Sequence, residues 1–386
     1  MLNESFLRCG TMGALNETAI FHCVFFCVCV RKRIWRLSSC GGPNPFLNIL
    51  AAGLNMTSNT IAPHEVHDIT FSSGDKFHVV VFGGIDAEYT RRGETPPPVL
   101  FCLHGAGMSC SSYFSLSTHL IHPQHDETDG VGMHPDESTD VVRVVAYDMR
   151  CHGESTFTGG EANLTLELLM DDFSAVLRAV KETLFPDTPR LYVVGHSLGG
   201  SVAVNALSKE KELMNMVAGV VLLDVVEGTA KLSLKHMDKF LQNRPHKFAG
   251  VEEAERWFLQ RGGMTTPTAA AVTVPPLLKR VGDHYEWKTN LEAMAPVWSG
   301  WFNGLDDAFV GLPCPKILCL ATAERLDTAL TVAQMQGKFQ FEILGGGCGH
   351  YVMDDQPAVL ALKLRRFIKR IETLSEKLQI SLKKQP

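Results

Sequence analysis

The sequence predicts an α/β protein built on a mostly parallel sheet with helices on both faces, and three observations predict it. Short apolar runs alternate with stretches of helical spacing from Ile69 onward, the pattern of strands linked by crossover helices. The runs have no alternating polar face, as expected of strands buried on both sides. One of them, Leu191-Tyr192-Val193-Val194, leads straight into Gly195-His196-Ser197-Leu198-Gly199, and residues 201–207 beyond it can continue as a helix. Strand, G-x-S-x-G and helix together describe a nucleophile elbow, a sharp turn that exposes a serine hydroxyl while two glycines let strand and helix approach. Ser197 is therefore the candidate nucleophile.

The 386 residues suffice for one large domain or two ordinary ones, and 45% hydrophobic against 20% charged describes a globular chain with ample core. A net charge of −6 argues against a nucleic-acid surface. Eleven cysteines without framework spacing indicate a reduced chain; Cys102 and Cys319 fall in apolar runs, where a thiol acts as a small hydrophobe. The expected compartment is the cytoplasm, with the nucleus as the alternative. Residues 1–55 read as an extension that the rest can dispense with. Their apolar run, residues 19–30, precedes Arg31-Lys32-Arg33, whereas a secretory signal carries its charge first. As a helix it would rise about 18 Å against a hydrocarbon core of about 30 Å. A weak membrane-associated segment, or a start codon placed upstream of Met56, are the alternatives.

Taken in order, residues 69–71 and 77–82 read as an antiparallel hairpin around Ser72-Ser73-Gly74-Asp75. Residues 99–103 form a buried strand ending in His104-Gly105-Ala106-Gly107. A polar, acid-rich insertion spans 121–140, followed by a strand over 141–146. Leu169, Phe173, Val176, Leu177, Val180 and Leu184 recur at helical spacing, and Pro186 ends that helix. After the elbow come a strand over 217–223, ending in Asp224, and a charged, tryptophan-rich stretch that suggests a cap of helices, about 228–310. Residues 316–320 and 338–343 are the last strands, with a helix over 328–336 between them and an amphipathic tail from Pro357.

A serine needs a base. His350, in Gly345-Gly346-Gly347-Cys348-Gly349-His350, follows the last strand and so shares a sheet edge with Ser197. His104, His152 and His196 lie beside turns and are expected to hold loops together. The oxyanion needs two N–H donors: Leu198 supplies one at its helix start, and Ala106, between glycines, is expected to supply the other. His119, His122, His125, Asp126 and His134 mimic a metal set but sit in or beside the polar insertion, where a solvated loop is expected. His64-Glu65-Val66-His67 lacks zincin spacing. No metal site is expected.

The strand ends at His104-Gly105, Asp148-x-Arg150-x-His152-Gly153 and Gly195-His196-Ser197-Leu198-Gly199-Gly200 resemble the α/β-hydrolase superfamily. Narrower runs are similar to the protein phosphatase methylesterases: Asp224-Val225-Val226-Glu227-Gly228-Thr229-Ala230, Phe240-Leu241-x-x-Arg244-Pro245, Trp298-x-Gly300-Trp301-Phe302-x-Gly304-Leu305 and Arg325-Leu326-Asp327. The resemblance spans about residues 64–370. It implies the α/β-hydrolase fold over residues 56–386, with a mostly parallel eight-stranded sheet and a helical cap insertion. It further implies a serine esterase that removes the methyl ester from the C-terminal leucine of the protein phosphatase 2A catalytic subunit, with no cofactor. Its triad maps to Ser197, Asp224 and His350, and its partner contacts suggest Trp298, Trp301 and Glu227.

The acid is where residue logic and resemblance diverge. In most hydrolases of this fold it follows a later strand, which points to Glu324 or Asp327. Asp224 directly follows the strand run 217–223, six of whose seven residues are apolar, and so should be rigid and partly buried, while Glu324 and Asp327 flank Arg325, their expected salt-bridge partner. A small-molecule carboxylesterase or lipase, and a non-catalytic phosphatase-binding protein, are the alternative functions.

Overall fold

The computed structural model describes residues 61–122, 141–158 and 164–383. The extension expected over 1–55, most of the 121–140 insertion, and His125, Asp126 and His134 lie outside the described residues. The strands are β1 (His64–Val66), β2 (Ile69–Thr70), β3 (Lys76–Phe77), β4 (Val79–Phe82), β5 (Val99–Leu103), β6 (Arg143–Tyr147), β7 (Leu191–His196), β8 (Val217–Leu223), β9 (Leu278–Val281), β10 (His284–Trp287), β11 (Lys316–Leu320) and β12 (Gln340–Ile343). Eight of them form one sheet in the order β1-β4-β6-β5-β7-β8-β11-β12. The pairs β1/β4 and β4/β6 are antiparallel, and every pair from β6 across to β12 is parallel. This is the α/β-hydrolase fold.

The sheet separates two cores, and the two-residue period of each strand assigns its side chains to one or the other. Val99, Phe101, Leu103, Val193 and Leu222 face the first core, with the Leu166–Thr183, Leu198–Lys209 and Leu305–Gly311 helices. Leu100, Cys102, Tyr192, Val194, Val221 and Cys319 face the second, with the Phe114–Ile121 helix and the long Pro357–Lys383 helix. The Leu166–Thr183 helix starts at Thr165, whose hydroxyl accepts the Leu168 N–H at 3.2 Å. No described helix is long and apolar enough to cross a membrane.

Three elements depart from the sequence expectation. The residue 69–82 hairpin is split: β2 and β3 form a small separate sheet, while β4 joins the main one. The loop after β6 causes the split, because Ser155 Oγ accepts the His78 N–H at 2.9 Å and Lys76 bridges to Thr156. β6 begins later than expected, at Arg143, a fully buried cation held by Asp86 at 2.9 Å and by the Pro97 carbonyl. The cap contains a β-hairpin, β9–β10, as well as helices, and has its own aromatic core of Phe248, Trp257, Phe258 and Trp287. Trp298, Trp301, Leu305 and Phe309 belong instead to the first core of the sheet.

Candidate active site

Parallel strands deliver their C-terminal ends to one edge, and the site is built from those ends. At the end of β7, Ser197 has φ 51° and ψ −119°, a conformation that non-glycine residues avoid. The turn persists because its surroundings leave no alternative: a Cβ on Gly195 would meet Gly200 Cα at 2.4 Å, and one on Gly199 would meet the Leu103 carbonyl at 2.5 Å. Only glycine permits such close packing of helix on strand. The Ser197 N–H donates to the Leu223 carbonyl at 3.2 Å, locking the turn onto β8.

Asp224 directly follows β8, also with a positive φ of 49°, and is buried. Its Oδ2 accepts from His350 Nδ1 at 2.7 Å, and its Oδ1 accepts from the Ala321 N–H at 2.9 Å. Burial alone would raise its pKa, but the His350 hydrogen bond and the Arg325 charge outweigh that and lower it, so the carboxylate is ionised. Glu324 and Asp327 do not reach the imidazole. Asp327 caps the Thr328–Met335 helix by accepting the Leu330 N–H at 2.9 Å, and Glu324, an exposed residue, lines the cavity without bonding His350. The expected pairing of Arg325 with those two is corrected: its guanidinium crosses to Asp224 and lies 3.5 Å from His350 Nδ1. Arg325 is a site residue the sequence reasoning missed. Two acidic neighbours in the chain were a stronger local signal than a carboxylate on another strand.

The other histidines are loop holders. His104 accepts the Met149 N–H at 3.0 Å and donates to the Gly105 carbonyl. His152 accepts the Gly107 N–H at 3.0 Å and donates to the Arg150 carbonyl. His196 donates to the His350 carbonyl at 2.9 Å. Burial pushes the His152 imidazole down to about 4 and that of His196 to about 3, so both are neutral at physiological pH. With Gly107 N–H spent on His152 and Met108 N–H on the Gly105 carbonyl, the Ala106 N–H is left without an acceptor among the described residues. So is the Leu198 N–H, one of the orphan donors at a helix start.

Ser197, His350, Asp224, Ala106 and Arg325 line one cavity of about 210 Å³, whose other walls are largely apolar: Met108, Val226, Leu234, Phe240, Trp257 and Leu291 among them. Among the described residues the Ser197 hydroxyl makes no hydrogen bond to the imidazole, a contact that commonly tightens only with substrate bound. Trp298 and Trp301 line the cavity too, but Trp301 is only 1% exposed and donates its indole N–H to the Leu164 carbonyl at 2.7 Å. Glu227 is not in the cavity wall; its carboxylate is taken by Lys231 and by the Asp306 N–H at 3.3 Å. His78, Cys110 and Asp148 cluster closely enough to suggest a metal. The Asp148 oxygens, however, already accept the Cys110 and Glu154 N–H groups at 2.7 and 2.8 Å. A hydroxyl on a strained turn, an imidazole tied to a buried carboxylate, and two unspent N–H donors can together carry acyl transfer.

The model of the "Alpha/beta hydrolase family" matches residues 99–363. Among curated proteins, the probable protein phosphatase methylesterase 1 of Caenorhabditis elegans is 35% identical over 314 residues, covering 81% of this chain and 80% of that protein. The protein phosphatase methylesterase 1 of Schizosaccharomyces pombe is 35% identical, covering 72% and 76%, and that of Homo sapiens 30% identical, covering 78% and 83%. Among solved structures, E-2-(acetamidomethylene)succinate hydrolase superposes with a TM-score of 0.59 at 18% identity, covering 80% of this chain and 100% of that one, a likeness of fold alone.

Proposed function

This chain belongs to the protein phosphatase methylesterase family of α/β-hydrolases, and we propose that it hydrolyses the methyl ester on the C-terminal leucine of the protein phosphatase 2A catalytic subunit. Its relatives' names supply the ester and the phosphatase, and the resemblance supplies the catalytic subunit and its terminal leucine. The observation that carries the chemistry is the 2.7 Å bond between His350 Nδ1 and the buried Asp224 carboxylate, on the wall of the apolar cavity that holds Ser197.

In this scheme Asp224 keeps the proton on Nδ1, so Nε2 presents its lone pair to the Ser197 hydroxyl. Ser197 Oγ attacks the ester carbonyl as its proton passes to Nε2. The Leu198 and Ala106 N–H groups receive the oxyanion. Methoxide is too basic to leave unaided; the imidazolium returns the proton and methanol departs. A water, deprotonated by the same histidine, then attacks the acyl-serine, and Ser197 leaves with that proton, releasing the free carboxylate. No cofactor enters these steps. A methyl ester of leucine suits the cavity, because its side chain is apolar and its leaving group small. Residues 56–386 form the hydrolase domain in this scheme, and about 228–310 its cap.

Methanol release from a methylated phosphatase catalytic subunit tests the proposal. The wild-type protein is expected to release it, while Ser197→Ala releases none and no longer reacts with a fluorophosphonate probe. Labelling of Ser197→Ala at the wild-type rate would remove Ser197 from the mechanism. Turnover of small aryl esters without any methanol from the phosphatase would favour a small-molecule carboxylesterase.

A further inference from the structure

Arg244 stands where the catalytic cavity meets a second pocket of about 280 Å³, and it lines both. Its guanidinium lies over the face of Trp287, 4.0 Å from the ring centroid. Trp287 is itself pinned, its indole N–H donating to the Pro245 carbonyl at 2.7 Å, so the stacking surface is rigid. Among the described residues the Arg244 guanidinium makes no hydrogen bond and no ion pair, while its backbone N–H donates to the Leu241 carbonyl at 2.9 Å. Burial pushes its pKa down to about 10, with the Tyr351 phenol and the Glu292 carboxylate near enough to oppose that, and it remains a cation at neutral pH. Glu292 is exposed and lies 3.9 Å from the likewise exposed His246.

Three other guanidiniums held inside the fold are paired with carboxylates, and that of Arg365 bonds the His119 and Leu120 carbonyls. Arg143 bonds Asp86, Arg150 bonds Asp172 and Asp75, and Arg325 bonds Asp224. Arg244 is half-buried and Glu292, the carboxylate that acts on it, makes no ion pair with it, so the guanidinium has an open place for an anion from outside the chain. The reacting ester cannot be that partner: it is neutral, and its carbonyl oxygen is directed to the Leu198 and Ala106 N–H groups. The anion must lie elsewhere on the substrate. The second pocket offers the exit, with Lys279 and His246 in its wall and the carboxylate of Glu286 bonded by His284 at 2.9 Å.

We propose that Arg244 is the subsite for a carboxylate of the substrate peptide, carried by an acidic side chain upstream of the esterified residue. The peptide's esterified end occupies the apolar cavity, its acidic side chain meets Arg244 at the junction, and the chain leaves through the second pocket. This deepens the methylesterase reading and rests on it.

The test crosses enzyme with substrate. Two peptide methyl esters, identical except for Asp or Asn upstream of a C-terminal leucine methyl ester, are compared on wild-type protein, Arg244→Lys and Arg244→Met. A charged hydrogen-bonded pair predicts a preference of about tenfold to a hundredfold for the Asp peptide in wild type, seen mainly in KM. Arg244→Met should reduce that ratio to near one, and Arg244→Lys should restore part of it. The corresponding free-acid peptides, as competitive inhibitors of p-nitrophenyl ester turnover, should show the same ratio. No preference in wild type, or one that survives in Arg244→Met, overturns the proposal. The wild-type comparison decides even where a variant fails to fold. Loss of all methyl-ester turnover with the inhibitor preference intact would instead indict the methylesterase reading and leave the anion subsite standing.

Discussion

Replacing Asp224 by Asn changes almost no volume and should nevertheless disable the enzyme. The carboxylate has three partners: the Ala321 N–H at 2.9 Å on Oδ1, and His350 Nδ1 at 2.7 Å and the Arg325 guanidinium on Oδ2. Asn has only one oxygen. The backbone donor is buried and immovable, so the amide oxygen stays on Ala321 and the NH2 turns toward Nδ1 and the Arg325 guanidinium. An NH2 facing Nδ1 must donate, which moves the imidazole proton to Nε2 and leaves no lone pair for the Ser197 hydroxyl. Two donors, the amide and Arg325, then compete around a ring that can no longer become a stabilised imidazolium. The analogous change in a serine protease lowers kcat by about 10⁴, equivalent to about 5.5 kcal/mol at about 1.4 kcal/mol per decade. Stability should suffer far less, by about 1–3 kcal/mol for the unpaired arginine. The assay is kcat on a peptide methyl ester, together with fluorophosphonate labelling rate and a thermal midpoint. Glu324→Gln and Asp327→Asn should each stay within about tenfold, since neither carboxylate reaches His350. Should Asp224→Asn remain within tenfold of wild type while one of those collapses, the assignment of the acid is wrong.

Two further outcomes follow from the packing. Trp301→Ala should cost about 3–5 kcal/mol of stability in denaturant unfolding, because the ring is buried and its indole bonds Leu164; a loss under about 1 kcal/mol, with only peptide turnover reduced, would restore it as a substrate contact. Asp306 has its pKa pushed up to about 7, by burial and then by sharing a hydrogen bond with Asp327. A carboxyl with a raised folded pKa holds its proton more tightly folded than unfolded, so stability falls as pH rises from about 4 to about 7. Asp306→Asn cannot ionise, retains an acceptor for the Glu227 N–H, and should be more stable than wild type by about 1–2 kcal/mol above that window, after discounting for partial exposure. Near pH 4 the two should unfold almost together, and an equal gap at both pH values would refute the shared-proton account.

Much of this molecule is written in short-range sequence. The elbow is local: an apolar strand, glycines at fixed offsets and a helix start lie within 20 residues, so Ser197 and its Leu198 N–H were legible. His350 was legible through order along the chain, since anything just past the last parallel strand reaches the same sheet edge. The hairpin at 69–82 was misread because alternation shows that residues are extended but not which neighbour they pair with. The neighbour that decided it, Ser155, lies 77 residues away.

What the sequence determined by itself was therefore the alternation of strand and helix, the placement of glycine where only glycine fits, and the presence of a serine, a histidine and several acids at strand ends. Which acid meets the histidine was decided by tertiary structure, because β8 lies between β7 and β11 and brings Asp224 to an imidazole 126 residues later. The same crossing brought Arg325 to Asp224 over 101 residues, away from its chain neighbours, and Arg244 stacks on Trp287 with no ion pair among the described residues. Periodicity records which face of an element is apolar, a property of neighbours along the chain. A charge takes its partner from whatever the sheet order sets beside it, and that order emerges only when the crossovers close.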